Sequence, residues 1–384
     1  MSAKQTLPLL SSQSSDAMAE STQTDRPSSR FLARIVEKAV RDYPVPGIVT
    51  LLAGPKTEVT VAAGVRQRGT NVEMERGDSV HIGSCLKAMT ATVAARLVEH
   101  GLIGWDTTVG QAYPELAGRA NPANTTITLE ELLAHRSGLT DDIPQELQEL
   151  ALAFQGSGRE ARTRFLPEYL ALPPGAARGS FNYSNFGYAL AGGMLERVSG
   201  RSYEELLQQE LFDPLDMRSA HFGSPGSNDP NIIDAPRGHD INGNVLLPYQ
   251  QFNPPILAPA GLYSMQLKDW LKFARLQLGL PVEGKYLLSQ ASLAKLHAPV
   301  GGPISETGDR YALGWVIVHI NGHELLAHDG SNDAWLSRIV INPSNRRILL
   351  QSTNEFSANA DKALGEIVSS RKGESLAGRQ ADAY

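Results

Sequence analysis

Cysteine is almost missing from this chain: Cys85 stands alone among 384 residues, which excludes an intrachain disulfide and any cysteine-cluster metal site. It lies beside Ser84, on a helix where it would point to another face, and reads as packing rather than chemistry. Long apolar runs are missing as well, and none reaches the ~20 residues that cross a bilayer. The N-terminus has no readable signal peptide, because Leu7-Pro8-Leu9-Leu10 is too short for an apolar h-region. The expectation is a cytoplasmic protein unless a leader has been removed. Positive charge is not in excess: 41 Asp and Glu outnumber 35 Lys and Arg, a formal net charge of -6. That balance offers no footprint for nucleic acid or an anionic membrane, so the expected partner is a small or neutral molecule. G-x-S-x-G, H-E-x-x-H, a Walker loop and a dinucleotide fingerprint do not occur, which argues against an α/β-hydrolase and leaves no metal or cofactor to expect. Nothing in the sequence speaks to oligomeric state.

What is there includes material for a sizeable core, with 41% hydrophobic residues and a length that allows about two or three domains. The chemistry centres on Ser84-Cys85-Leu86-Lys87. These residues follow a short apolar run, Val80-His81-Ile82-Gly83, and open a segment where Leu86, Met89, Val93 and Leu97 recur at helical spacing. Ser84 therefore sits at or near a helix start, and Lys87, nearly one turn on, reaches back beside its hydroxyl. Free N–H groups in a first helical turn favour negative charge and help a serine toward an alkoxide. An S-x-x-K alone also describes an N-cap serine with a solvated lysine, so the rest of the chain decides.

In chain order, residues 1–29 are rich in Ser, Thr and Gln and are expected to be a disordered arm. Residues 31–43 carry apolar positions 32, 35, 36, 39 and 40, an amphipathic helix that stops before Pro44 and Pro46. Residues 48–53 and 58–63 flank Gly54-Pro55-Lys56 as a hairpin, and the Ser84 helix ends near Gly101. Thr128 and Glu131 form a capping box for a short helix running to His135, which Ser137-Gly138 breaks. Residues 140–172 read as mainly helical, ended by Pro173-Pro174-Gly175, and helices follow at 186–198 and after Ser202, capped with Glu205. The stretch 223–259, full of Pro, Asn and Gly, reads as a long loop of the kind that walls a binding site. After a helix at 266–278 the pattern turns to period two: 311–320 and 323–328 around Asn321-Gly322, then 335–342 with 348–353. A helix over 358–369 closes the chain ahead of a tail at 373–384.

Strands at both ends with helices between them predict an α+β fold, in which one antiparallel sheet is built from both termini, flanked by helices, with a large helical insertion. The domains are then discontinuous: a sheet domain from 30–83 and 300–372, and a mainly helical domain from 84–299.

Five segments now stand in order: Ile82-Gly83-Ser84 with Lys87, Leu132-Leu133-Ala134-His135-Arg136-Ser137-Gly138-Leu139, Tyr183-Ser184-Asn185, Pro214-Leu215-Asp216-Met217, and His328-Asp329-Gly330. Together they resemble the serine β-lactamase-related superfamily, over about residues 31–370. Within it the chain is most similar to the branch holding class C β-lactamases, family VIII carboxylesterases and D-amino-acid peptidases. The resemblance implies the β-lactamase/transpeptidase-like fold, in agreement with the architecture read from the pattern.

The resemblance also implies roles. Ser84 would attack a carbonyl and carry the acyl group, while Lys87 takes or shares its proton. Tyr183 would be the second proton handler, its phenolate favoured by the lysine ammonium. Asn185 would point into the same cleft and hydrogen-bond the substrate or Lys87. His328, Asp329 and Gly330 would lie on a strand bounding the site, with Gly330 letting the substrate backbone approach. The backbone N–H groups of Ser84 and Ser331 would form the oxyanion hole. His135 belongs to a motif that the family shows away from the chemistry, so it reads as structural.

Two departures bear on substrate. His328 stands where lysine is usual in true β-lactamases, so a permanent cation for a substrate carboxylate is missing. Asp329 stands where a small residue or hydroxyl is common; facing the cleft it would repel an acid, and turned to the other face it would meet the sheet packing or Arg338. The reading is a serine hydrolase that works through an acyl-enzyme, a carboxylesterase on small neutral esters. Its alternatives are a β-lactamase, a D-aminoacyl amidase or peptidase, and an acyltransferase using the same acyl-serine. A non-catalytic binding protein on this fold is opposed by the intact Ser84, Lys87 and Tyr183.

Overall fold

The first helix, Ser29–Asp42, forms where the apolar spacing places it, with Leu32, Ile35, Val36 and Ala39 buried on one face. The computed structural model describes residues 29–369 other than 142, 253, 283 and 321. The expected N-terminal arm, apart from Ser29, and the expected tail at 373–384 lie outside the described residues. Gly47–Gly54 and Thr57–Gly64 follow as a hairpin, with Gly54 opposite Thr57, so Pro55 and Lys56 make a two-residue turn.

That hairpin joins strands from the far end of the chain. The sheet has seven strands in the order Thr57–Gly64, Gly47–Gly54, Arg347–Thr353, Leu336–Asn342, His323–Ser331, Val316–Ile320, Arg310–Tyr311, and every neighbouring pair is antiparallel. Val316–Ile320 and His323–Ser331 pair as the Asn-Gly signal predicts, although Asn321 itself lies outside the described residues.

Both faces of the sheet are covered. Ile48, Leu52, Val340 and Leu349 pack with Leu32 and Val36 of the first helix and Leu364 and Ile367 of the last, Ala358–Ser369. Val49, Leu51, Ile339, Ile341 and Leu350 point the opposite way and join the larger core beneath the helices. Neighbouring residues on one strand thus serve opposite cores, which is why these strands are apolar without alternation.

At the centre of the larger core runs Leu86–Glu99. The spacing of Leu86, Met89, Val93 and Leu97 is borne out, but the helix has no polar face: Lys87, Ala88, Thr90, Ala91, Thr92, Ala94 and Ala95 are buried as well. A helix buried all round is held by neighbours on every side rather than by one stripe. Thr90 fits there because its hydroxyl donates to the Pro259 carbonyl at 2.7 Å.

The capping boxes at Thr128 and Ser202 form as expected. Residues 140–172 divide into two helices, Gln145–Leu152 and Gly158–Ala171. The helix Gln290–His297, capped by Ser289, and the strand Tyr263–Gln266, paired with Ser79–His81, were not expected. The stretch 223–259 is not all loop: Gly238–His239 pairs with Val245–Leu246. Among the described residues no helix is long and apolar enough to cross a membrane.

Candidate active site

Ser84 lies in a tight turn, Gly83–Cys85, that runs directly into Leu86–Glu99. Two features hold the turn. Gly83 takes φ +50°, in the left-handed region that L side chains rarely enter, and His81 Nδ1 accepts its N–H at 3.1 Å. The His323–Ser331 strand then passes so close that a Cβ on Gly330 would sit 2.1 Å from the Ile82 carbonyl oxygen and 2.6 Å from the Ser84 nitrogen. Gly330 therefore makes room for the chain's own Ser84 turn, where the expectation gave that room to a substrate backbone. The Ser331 nitrogen lies at the same crossing, 2.3 Å from where a Cβ on Gly83 would be.

Because the atoms facing Gly330 are backbone, they cannot turn aside as a side chain would. Gly330→Ala is expected to displace Ser84 and lower the rate of fluorophosphonate labelling by about 10²-fold, the scale of an ångström's misplacement. A labelling rate equal to wild type would show that the crossing tolerates the methyl group.

Lys87 is the polar centre. It is 0% exposed, and Nζ donates to Ser84 Oγ at 3.0 Å, Asn185 Oδ1 at 2.8 Å and the Ala260 carbonyl at 2.8 Å. Burial disfavours its charged form and lowers its pKa to about 7, against the opposing pull of Asp141 and Cys85. Tyr183 is half-buried, and its ring lies 4.7 Å from Lys87 Nζ. The expected phenolate is not favoured: burial of the hydroxyl pushes the phenol well above its ordinary value, more than the nearby Ser84 hydroxyl lowers it.

Asn185 begins the helix Asn185–Ser199, whose N-cap is Ser184. Its amide nitrogen donates to Asp141 Oδ2 at 2.8 Å, which turns its oxygen toward Lys87. Asp141 was not expected here; it sits in an aperiodic stretch after Gly138, and no local pattern marks it.

The two departures resolve differently. His328 is 1% exposed; its Nδ1 donates to the Asp329 carbonyl at 2.6 Å, leaving Nε2 to accept from the Tyr311 hydroxyl at 3.0 Å. Both ring nitrogens are occupied, so the expected substrate contact is not made by this side chain. Burial and the Lys87 charge lower its pKa to about 4, and it is neutral at pH 7. Asp329 does not face the cleft. Its carboxylate takes Arg338 in a bidentate pair, at 2.7 and 2.6 Å, and Arg338 also reaches Asp361 of the last helix at 2.9 Å. Asp329 and Arg338 are direct cross-strand partners, so they share the face that packs on the terminal helices. Of the two readings of Asp329, the one that turns it to Arg338 holds, and its place among the substrate-contacting residues is corrected.

His135 is structural but not remote. Its ring lies 4.3 Å from that of Tyr183, and its Nδ1 accepts the Ser184 N–H at 3.0 Å. Among the described residues, no group of three or more His, Cys, Asp or Glu is placed to hold a metal ion.

Comparison with known proteins shows the family and the fold. A model of the Beta-lactamase family matches residues 32–369. Penicillin-binding protein 4 of Amycolatopsis lactamdurans is 25% identical over 322 residues, covering 82% of each chain. Protein flp of Staphylococcus aureus is 26% identical over 328 residues, 84% of this chain, which spans only 62% of that relative's length. Among solved structures, a beta-lactamase from Sulfitobacter sp. EE-36 superposes with a TM-score of 0.73 at 20% identity, covering 91% of this chain and 100% of that one. A D-stereospecific amidohydrolase from Streptomyces sp. does so with a TM-score of 0.71 at 23% identity, again over 91% and 100%. At such identities these two likenesses concern the fold.

Proposed function

The chain belongs to the beta-lactamase family and is a serine hydrolase, and from that premise we propose that it acts through an acyl-enzyme on Ser84, as a carboxylesterase for small neutral esters. The observation that carries this reading is the Ser84–Lys87 pair: a hydroxyl 3.0 Å from a buried amine whose pKa lies about 7, so that a free base is present at neutral pH.

In the proposed sequence Ser84 Oγ attacks the ester carbonyl and its proton passes to the Lys87 amine. The carbonyl oxygen, now negative, is received by the N–H groups of Ser84 and Ser331, which flank the crossing of the turn and the strand. As the C–O bond breaks, Tyr183 gives its hydroxyl proton to the departing alkoxide and is reprotonated from the Lys87 ammonium. Water then attacks the acyl-serine by the reverse path, releasing the acid and free Ser84.

The preference for neutral substrates is supported by His328, a buried neutral ring where a permanent cation would hold a carboxylate. Asp329 contributes nothing to it, since its charge is spent on Arg338. The same neutrality suits amides of D-amino acids, the substrate class that the name of a structural neighbour, a D-amino acid amidase from Ochrobactrum anthropi, describes for that protein.

A panel of p-nitrophenyl esters, D-amino-acid p-nitroanilides and nitrocefin, assayed side by side, is expected to give the highest kcat/KM with a short neutral ester, about 10²-fold or more above nitrocefin, the margin expected where a site lacks the charged partner that a substrate was built for. A higher value for a D-aminoacyl anilide would transfer the reading to the amidase. Nitrocefin leading the panel would overturn the argument from His328.

A further inference from the structure

Asp141 lies outside the three residues assigned to the chemistry, yet it receives more hydrogen bonds than any of them. Its Oδ1 accepts from Ser184 Oγ at 3.0 Å and Phe186 N at 3.0 Å, and its Oδ2 from Asn185 N at 2.9 Å and Asn185 Nδ2 at 2.8 Å. The first turn of the Asn185–Ser199 helix is thus closed by a carboxylate from a separate segment, where the free N–H groups of a helix start favour a negative charge. Ser184 already caps that helix through Gly187 N at 3.0 Å, so holding the helix start does not by itself require Asp141.

What requires it is the side chain of Asn185. An amide can present either its oxygen or its nitrogen to a neighbour, and the two orientations are nearly the same in shape. A carboxylate only accepts, so Asp141 takes the Asn185 nitrogen and leaves the oxygen to receive the Lys87 amine. We propose that Asp141 is a positioning residue of this site: its carboxylate sets the orientation of Asn185 and, through that amide, holds the Lys87 Nζ against Ser84 Oγ. The inference rests on the Ser84–Lys87 reading above and adds to it a residue that touches neither substrate nor nucleophile.

The ionisable groups around Lys87 are Asp141, Cys85, His135, His328, Tyr183 and Tyr188. Burial keeps both histidines neutral at pH 7 and raises both tyrosines and the cysteine, and the remaining group is the Asp141 carboxylate. Its field favours the ammonium form of Lys87. In Asp141→Asn that field is gone, and the new amide no longer dictates which way Asn185 turns. Both changes disfavour the ammonium, so the Lys87 pKa falls.

The test is the pH dependence of fluorophosphonate labelling at Ser84, followed by intact mass, in wild type and Asp141→Asn, with Tm recorded for each. The expected result is a plateau rate lowered by about tenfold, from loss of alignment, with the acid limb moved downward. A shift of half a unit raises the ratio of the rates at pH 6 and pH 8 roughly two- to threefold. A variant with a lower Tm and an unchanged ratio would reduce Asp141 to a structural cap and overturn the inference, as would a limb moved upward. A wild type that is not labelled at Ser84 would overturn the functional reading and this inference together. Should Asp141→Asn not fold, Asp141→Ser, which keeps an acceptor and drops the charge, carries the same readout.

Discussion

Ser84→Ala is expected to lower kcat by about 10⁴-fold or more, the scale seen when a covalent nucleophile is removed, with little change in Tm. The large effect on rate follows from chemistry: without Oγ no acyl-enzyme forms, and the lysine and tyrosine beside it have no nucleophile to activate. The small effect on stability follows from place. The Ser84 hydroxyl bonds to Lys87 at 3.0 Å, a group of the cleft, and the turn is held by the backbone of Gly83 and the glycine crossing instead. Intact-mass spectrometry after fluorophosphonate should show one adduct in wild type, on the peptide that holds Ser84, and none in the variant. Cys85, the adjacent nucleophilic atom, does not substitute. It is fully buried, its thiol lies 3.2 Å from the His328 carbonyl as a donor, and burial pushes it away from the thiolate. An adduct that persists in Ser84→Ala would defeat the assignment.

Lys87→Met should cost about 10²- to 10⁴-fold in kcat/KM, the range of a general base, and should also abolish the acid limb of the pH profile. The sign comes from which form of the lysine works. The amine takes the proton and the ammonium does not, so activity rises with pH through the lysine's pKa of about 7 and is level above it. Removing the lysine removes that titration, and the residual rate is flat across the same window. Tyr183→Phe separates the two proton handlers. Burial keeps the tyrosine protonated at every pH in this range, so its loss should lower the plateau by about 10²-fold and leave the limb in place. A limb that vanishes in Tyr183→Phe and survives in Lys87→Met would reverse the two roles.

Several features of this site were legible in the chain because they are local. Ser84 and Lys87 are three residues apart, so any helix started at the serine brings them together whatever surrounds it. Thr128 with Glu131, and Ser202 with Glu205, close their capping boxes within one turn. The first hairpin pairs across two residues. Motif resemblance extended this reach to Tyr183 and Asn185, which come from a distant part of the chain but carry a recognisable short pattern.

What the sequence by itself determined is therefore the set of candidate groups and the elements that bear them. What only the tertiary structure decided is how those groups behave. Which of Lys87 and Tyr183 is suited to act as a base depends on burial, because desolvation lowers the pKa of a lysine and raises that of a phenol, and burial is a property of the packed molecule. Which face Asp329 takes depends on strand register, because one residue of slip turns a side chain from the cleft to the terminal helices. The role of Gly330 depends on a strand from the C-terminal end crossing a turn near position 84, and that of Asp141 on a loop reaching a helix start more than forty residues on. Each of these contacts joins residues whose separation no local pattern encodes, and each exists only because the two cores bring the outer strands and helices of the described residues and their middle into one packed body.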